Sequence, residues 1–259
     1  MNSDGATVLH AYGVVPASSP IELPSSGIDG AQVEVAEASG LVALVSRLDG
    51  TRYGEEVWRA HAEDPDWLAG FATQHQEVLG AVATTCDVLP FRIPGMYDDE
   101  ARLLAVLEEE KELLRRGLEA IGGHVEWGVH IFLTDAPDEE PAEQPRTGRD
   151  YLRRRSEQAG SRERTAEARR TRVLDAYEAI ADASTHSVVN PPQDPALSKR
   201  SEPMLLNSAH LVPRDRKDPF FAVLGEVQDL LRGDGMVVEV SGPWPAYNFV
   251  HLATEELQA

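Results

Sequence analysis

The chain has 259 residues, with 24 Lys and Arg against 44 Asp and Glu, which gives a formal net charge of −20. That balance argues against a protein that grips nucleic acid through a general basic footprint, and the length allows one or two domains with a substantial core. The single cysteine, Cys86, excludes an intramolecular disulfide and a cysteine-cluster metal site, and it fits a reducing, cytoplasmic setting.

Met1 to Gly5 carries no Lys or Arg, so the start of the chain does not read as an export signal. No run approaches the ~20 apolar residues of a membrane span, so no membrane partner is expected. Ala6 to Val15 is apolar and β-prone and predicts a strand, followed by a Ser/Pro/Gly-rich loop to Gly30. Gln32 to Ala38 alternates apolar and polar residues, Ser39-Gly40 is a turn, and Leu41 to Leu48 is a buried-type strand. Together these predict a hairpin. Glu55 to Ala60 predicts a short helix. Asp64-Pro65 then opens a longer one, whose face carries Trp67, Leu68, Phe71, His75, Val78, Leu79 and Val82. Asp87 to Ile93 predicts a strand ended by Pro94-Gly95. A helix from Asp99 to Ile121 stops at Gly122-Gly123, and Val125 to Thr134 returns as a strand.

This order, β-ββ-α-β-α-β, predicts an α+β fold: an N-terminal ferredoxin-like domain over residues 1–134, modified by an extra hairpin strand. Residues 135–148 hold three prolines and five acidic residues, and they predict a linker. Residues 149–259 then form a smaller C-terminal α+β domain with a long Arg-rich helix over Arg149 to Ala183. Strands follow at Thr185–Asn190, Met204–Val212 and Met236–Ser241, with a helix at Pro219–Leu231.

No phosphate-binding, dinucleotide-binding, nucleophile-elbow or zinc-protease motif is present. The eight histidines are scattered and read as hydrogen-bonded structural residues. No catalytic, cofactor-binding or metal-ligating residue is assigned, and no enzymatic activity or cofactor is expected. Arg146 to Arg172 holds ten Arg against four acidic residues, while the rest of the chain carries −26. Arg153, Arg154 and Arg155 lead this stretch. They could meet phosphate groups, form a solvated helix face, or offer an attractive face to an acidic partner or another copy of the chain. Base-stacking aromatics are missing there apart from Tyr151, which counts against single-stranded RNA.

Two further segments combine fixed backbone with large side chains. Pro90 lies inside a strand, which implies an edge or a bulge, and Phe91 and Arg92 follow it. Near the end, Gly242-Pro243-Trp244-Pro245 precedes Tyr247 and Phe249. Trp244, Tyr247 and Phe249 either cap the core or form a rigid aromatic contact for a partner.

These same segments resemble the gas vesicle protein GvpL/GvpF family. Val88-Leu89-Pro90-Phe91-Arg92 is similar to that family's Val-Leu-Pro-Met-Arg strand, and His75 with Val78-Leu79 to its His-x-x-Val-Leu helix. Glu126-Trp127-Gly128-Val129 resembles its Glu-x-Gly-Val strand, and Tyr151-Leu152-Arg153-Arg154-Arg155 its Tyr-Leu-x-x-Arg helix opening. Gly242 to Val250 is similar to the Gly-Pro-Trp-Pro-Pro-Tyr-Ser-Phe-Val ending, with Ala246 in place of the second proline. Phe91 stands for Met, and Ile93-Pro94 for the usual Phe-Gly. The resemblance implies a non-enzymatic accessory protein of gas vesicle formation, cytoplasmic or on the vesicle. It would contact the main shell protein (GvpA-type), other accessory proteins, or itself. The rival expectations are a small-molecule-binding or enzymatic ferredoxin-like domain and an Arg-helix RNA binder.

Overall fold

The computed structural model describes residues 7–134, 148–193, 200 and 202–250. The fold is mixed α and β, with two sheets. In the first sheet, β1 (Thr7–Pro16) is covered on both faces, and every residue from Leu9 to Val15 is buried. This is why its sequence is an unbroken apolar run rather than an alternating one. It pairs antiparallel with β3 (Leu41–Asp49), which pairs antiparallel with β2 (Glu34–Ala38) at the sheet edge. The β2–β3 loop is Ser39-Gly40. Both residues adopt left-handed backbone (φ 55 and 75), the conformation that a tight two-residue hairpin turn requires.

The helices of this unit follow their sequence signals. Asp49 caps α1 (Gly50–Tyr53), which leads into α2 (Glu55–His61). The Asp64 carboxylate accepts from the backbone N–H of Asp66 and Trp67 and starts α3 (Pro65–Ala83). Phe71, His75, Val78, Leu79 and Val82 form its buried face, packed on Tyr12, Val15, Leu44 and Leu48. Full burial of a side chain such as Leu79 is worth about 1.5–3 kcal/mol.

Two expected elements appear in altered form. The strand expected over 87–93 is two short pieces, β4 (Leu89–Pro90) and β5 (Met96–Tyr97), both paired with β1. Pro90 cannot donate to a ladder, which limits the first piece. The single helix expected over 99–121 is two, α4 (Glu100–Glu109) and α5 (Lys111–Ile121). The break falls at Glu110, whose backbone leaves helical values (φ −101, ψ 10).

The second sheet corrects the expected placement of a strand. Strand β6 (His124–Leu133) does not join the first sheet, as the ferredoxin-like reading of residues 1–134 required. It lies inside the second, whose order is β7-β8-β6-β9, with β7 (His186–Val189), β8 (Met204–Pro213) and β9 (Met236–Trp244). Helix α6 (Gly148–Asp182) joins β6 to β7, and α7 (Lys217–Arg232) joins β8 to β9. Periodicity identifies a strand but not its partners, and hydrogen bonds made far along the chain fix this one. Leu133 N–H donates to the Pro203 carbonyl at 3.0 Å, and the Ser208 hydroxyl donates to the Val129 carbonyl at 3.1 Å.

The chain therefore divides into two compact units. The first comprises residues up to 126 and from 243 onward; the second comprises 127–242. The boundary expected at 135–148 differs from this division, because residues 127–134 belong to the second unit and the aromatic ending to the first. Residues 135–147 of the expected linker lie outside the described residues.

Candidate functional site

The residues singled out from the sequence fall in different settings. Pro90 is buried in β4 opposite Gly13. A Cβ on Gly13 would stand 2.5 Å from the Leu89 carbonyl oxygen, so glycine is what lets the 88–92 segment lie against β1. Phe91 N–H donates to the Tyr12 carbonyl at 2.8 Å, and the exposed Arg92 follows. Arg153, Arg154 and Arg155 lie in α6, and their side chains are outside the described residues.

The aromatic ending is largely turned inward. Phe249 is only 2% exposed, and Tyr247 packs against the core of the first unit, with its ring 6.3 Å from that of His75. Between them, Asn248 donates to the Glu126 carboxylate twice, from its backbone N–H at 2.8 Å and its side-chain amide at 2.6 Å. Burial raises the Glu126 carboxyl above the usual range, and the two Asn248 bonds oppose that shift. Burial and the nearby Glu126 charge push the Tyr247 phenol up as well. Trp244 is half-buried.

Two buried histidine clusters serve the cores. In the first unit His10 Nε2 and His75 Nδ1 share a hydrogen bond of 2.9 Å. Both rings are fully buried among Tyr12 and Phe71. Burial lowers His10 to about 3, helped by the neighbouring His75, and lowers His75 to about 4. In the second unit His210 meets the Ser187 hydroxyl at 2.8 Å through Nδ1 and the Ser208 hydroxyl at 2.9 Å through Nε2; burial lowers it to about 4. Among the described residues, no group of three or more His, Cys, Asp or Glu is placed to hold a metal ion.

A surface feature unforeseen from the sequence lies within the second unit. A groove of about 500 Å³ runs between α6 and the edge of the sheet. Its helix wall is Ala166, Arg169, Arg170, Val173, Leu174 and Tyr177; its sheet wall is Val189 with Met204 to Leu206. Leu174 and Val189 are each 54% exposed, unusual for large aliphatic side chains lining one concave surface. Ala176 and Ile180 occupy the neighbouring helix face and are buried. In the sequence, Val173, Leu174, Tyr177 and Ile180 form an apolar stripe on the second half of this helix. The stripe is wider than the core needs, and that width is the signal that could have pointed to the groove.

An apolar groove with arginines on its helix wall is a surface able to take up another segment. The sequence model of the family "Gas vesicle synthesis protein GvpL/GvpF" matches residues 8–251. Gas vesicle protein L of Streptomyces sp. (strain CB03234) is 34% identical over 240 residues, covering 89% of this chain and 88% of the relative. Gas vesicle protein F2 of Halobacterium salinarum is 26% identical, covering 96% of each. The crystal structure of the gas vesicle protein GvpF from Anabaena sp. PCC7120 superposes with a TM-score of 0.63 at 16% identity, over 94% of this chain and 96% of that one. The corresponding GvpF structure from Microcystis aeruginosa gives 0.63 at 17% identity, over 94% and 98%. The chain belongs to the GvpL/GvpF family of gas vesicle accessory proteins.

Proposed function

We propose that this protein binds the small hydrophobic shell subunit of gas vesicles and aids nucleation or extension of the shell, without enzymatic chemistry. A subunit that coats a gas space presents a large apolar face before assembly, and such a face aggregates in water. A strongly acidic carrier stays dispersed by charge repulsion while covering that face. The observation that carries this reading is the groove beside α6, where Leu174 and Val189 remain half in water. Family membership supports an association with gas vesicle proteins. Among the described residues no helix is long and apolar enough to cross a membrane. We place the protein in the cytoplasm or on the vesicle, with other accessory proteins or a second copy of itself as further partners.

The test is a pull-down of purified shell subunit by the full chain, paired with a deletion strain. The proposal expects a retained complex and defective vesicles. No binding together with normal vesicles overturns it.

A further inference from the structure

We infer that the groove beside α6 takes an amphipathic helix whose apolar stripe is flanked by carboxylates; as a statement about the shell subunit, this rests on the function proposed above. On α6 the lining positions are 166, 169, 170, 173, 174 and 177. They follow steps of three and four over three turns, about 16 Å of helix. That is the seam a helix offers to a second helix laid along it. The opposite wall, Val189 and Met204 to Leu206, is apolar and closes the trough from the sheet side. With one apolar side chain on each wall, Leu174 and Val189, half exposed, the site is open to water. A small ligand would have most of its surface enclosed, whereas a helix laid in a groove leaves its own polar face in water.

Charge selects the occupant. Arg169 and Arg170 stand on the helix wall of the trough, between Ala166 and Val173, and among the described residues neither has an ion-pair partner. One turn further, Arg172 is engaged with Asp234 at 3.2 Å, so it is the pair at 169 and 170 that meets an incoming segment. An apolar stripe with acidic residues about one turn away satisfies both the walls and this rim, and a basic flank is repelled.

The test uses the full chain and three probes: an 18-residue fluorescent peptide with leucines at helical spacing flanked by glutamates, the same peptide with lysines for the glutamates, and dodecanoate. Fluorescence anisotropy should show the glutamate peptide binding at least tenfold more tightly than the lysine peptide. Dodecanoate should displace neither. The Leu174→Asp variant should abolish binding. The Arg169→Glu/Arg170→Glu variant should reverse the preference between the peptides. Both variants alter exposed or half-exposed positions, so unchanged circular dichroism and melting temperature confirm that any loss is local; if either variant is misfolded, Val189→Asp read against the same probes takes its place. Equal affinity for the two peptides, indifference to Leu174→Asp, or displacement by dodecanoate overturns the inference. The two proposals fail separately. Shell subunit retained equally by wild type and Leu174→Asp sinks the groove while leaving the function. Peptide selectivity without any retention of shell subunit sinks the function while leaving the groove.

Discussion

Asn248 holds the buried Glu126 carboxylate by two hydrogen bonds, at 2.8 and 2.6 Å, across 122 residues of chain. The contact ties the aromatic ending to the end of the first unit's chain run, between Tyr247, packed on that unit's core, and the buried Phe249. Replacing Asn248 by Ala keeps the backbone N–H donor but removes the side-chain amide, so the buried carboxylate loses one of its two bonds, which costs about 1–3 kcal/mol. The loss depends on pH. The Glu126 carboxyl is raised by burial, so it becomes protonated at low pH, where the missing amide donor matters less. Urea unfolding of Asn248→Ala should therefore show a larger deficit at pH 8 than at pH 4.

The buried histidines set a second pH dependence, for the whole protein. His10 lies at about 3, His75 at about 4 and His210 at about 4, all below the ordinary value of 6.5. The unfolded chain takes up protons on these rings below about pH 6.5, whereas the folded chain does so only near their lowered values. Their contribution is thus present above pH 6.5 and is lost as pH falls toward 3–4. Each ring adds a slope of up to about 1.4 kcal/mol per pH unit in that window. A His10→Gln/His75→Gln variant should be less stable at pH 7 and lose less on acidification to pH 4.5. Parallel melting-temperature curves for variant and wild type would contradict this origin of the acid sensitivity.

Gly13 should tolerate no side chain. An alanine Cβ there meets the Leu89 carbonyl at 2.5 Å and the Pro90 Cα at 3.1 Å, both backbone atoms that cannot swing aside. Gly13→Ala should cost about 2 kcal/mol or more, in the range of overpacked core sites. Amide exchange should rise first around Leu89 and Phe91, whose placement depends on β1.

By contrast, the Arg172–Asp234 pair, at 3.2 Å, has both side chains nearly half exposed. Asp234→Ala should change unfolding free energy by less than about 1 kcal/mol, and the change should vanish in high salt.

These cases show what the sequence carries and what it does not. Asp64-Pro65 and the spacing from Trp67 to Val82 announce α3, because capping and a 3.6-residue period are local properties. Ser39-Gly40 announces its hairpin for the same reason. The family resemblance is carried by short motifs, and it holds. The membership of β6 in the second sheet was hidden, since its apolar run says only that both faces are covered. The His10–His75 contact joins residues 65 apart, and nothing local to either ring marks it. Trp244, Tyr247 and Phe249 share aromatic character, yet Phe249 is core and Trp244 is half-buried, a distinction made by the fold of Pro243 to Val250. The groove went unseen because Leu174 and Ile180 look alike in a periodicity and differ only in what covers them.

The central claim is that this protein shields an apolar shell subunit, and light scattering tests it most directly. Purified shell subunit is diluted from denaturant into buffer with and without an equimolar amount of the full chain. The account predicts that wild type suppresses the rise in scattering and that Leu174→Asp, folded to the same melting temperature, does not. Scattering that rises identically with and without the wild-type chain would contradict it.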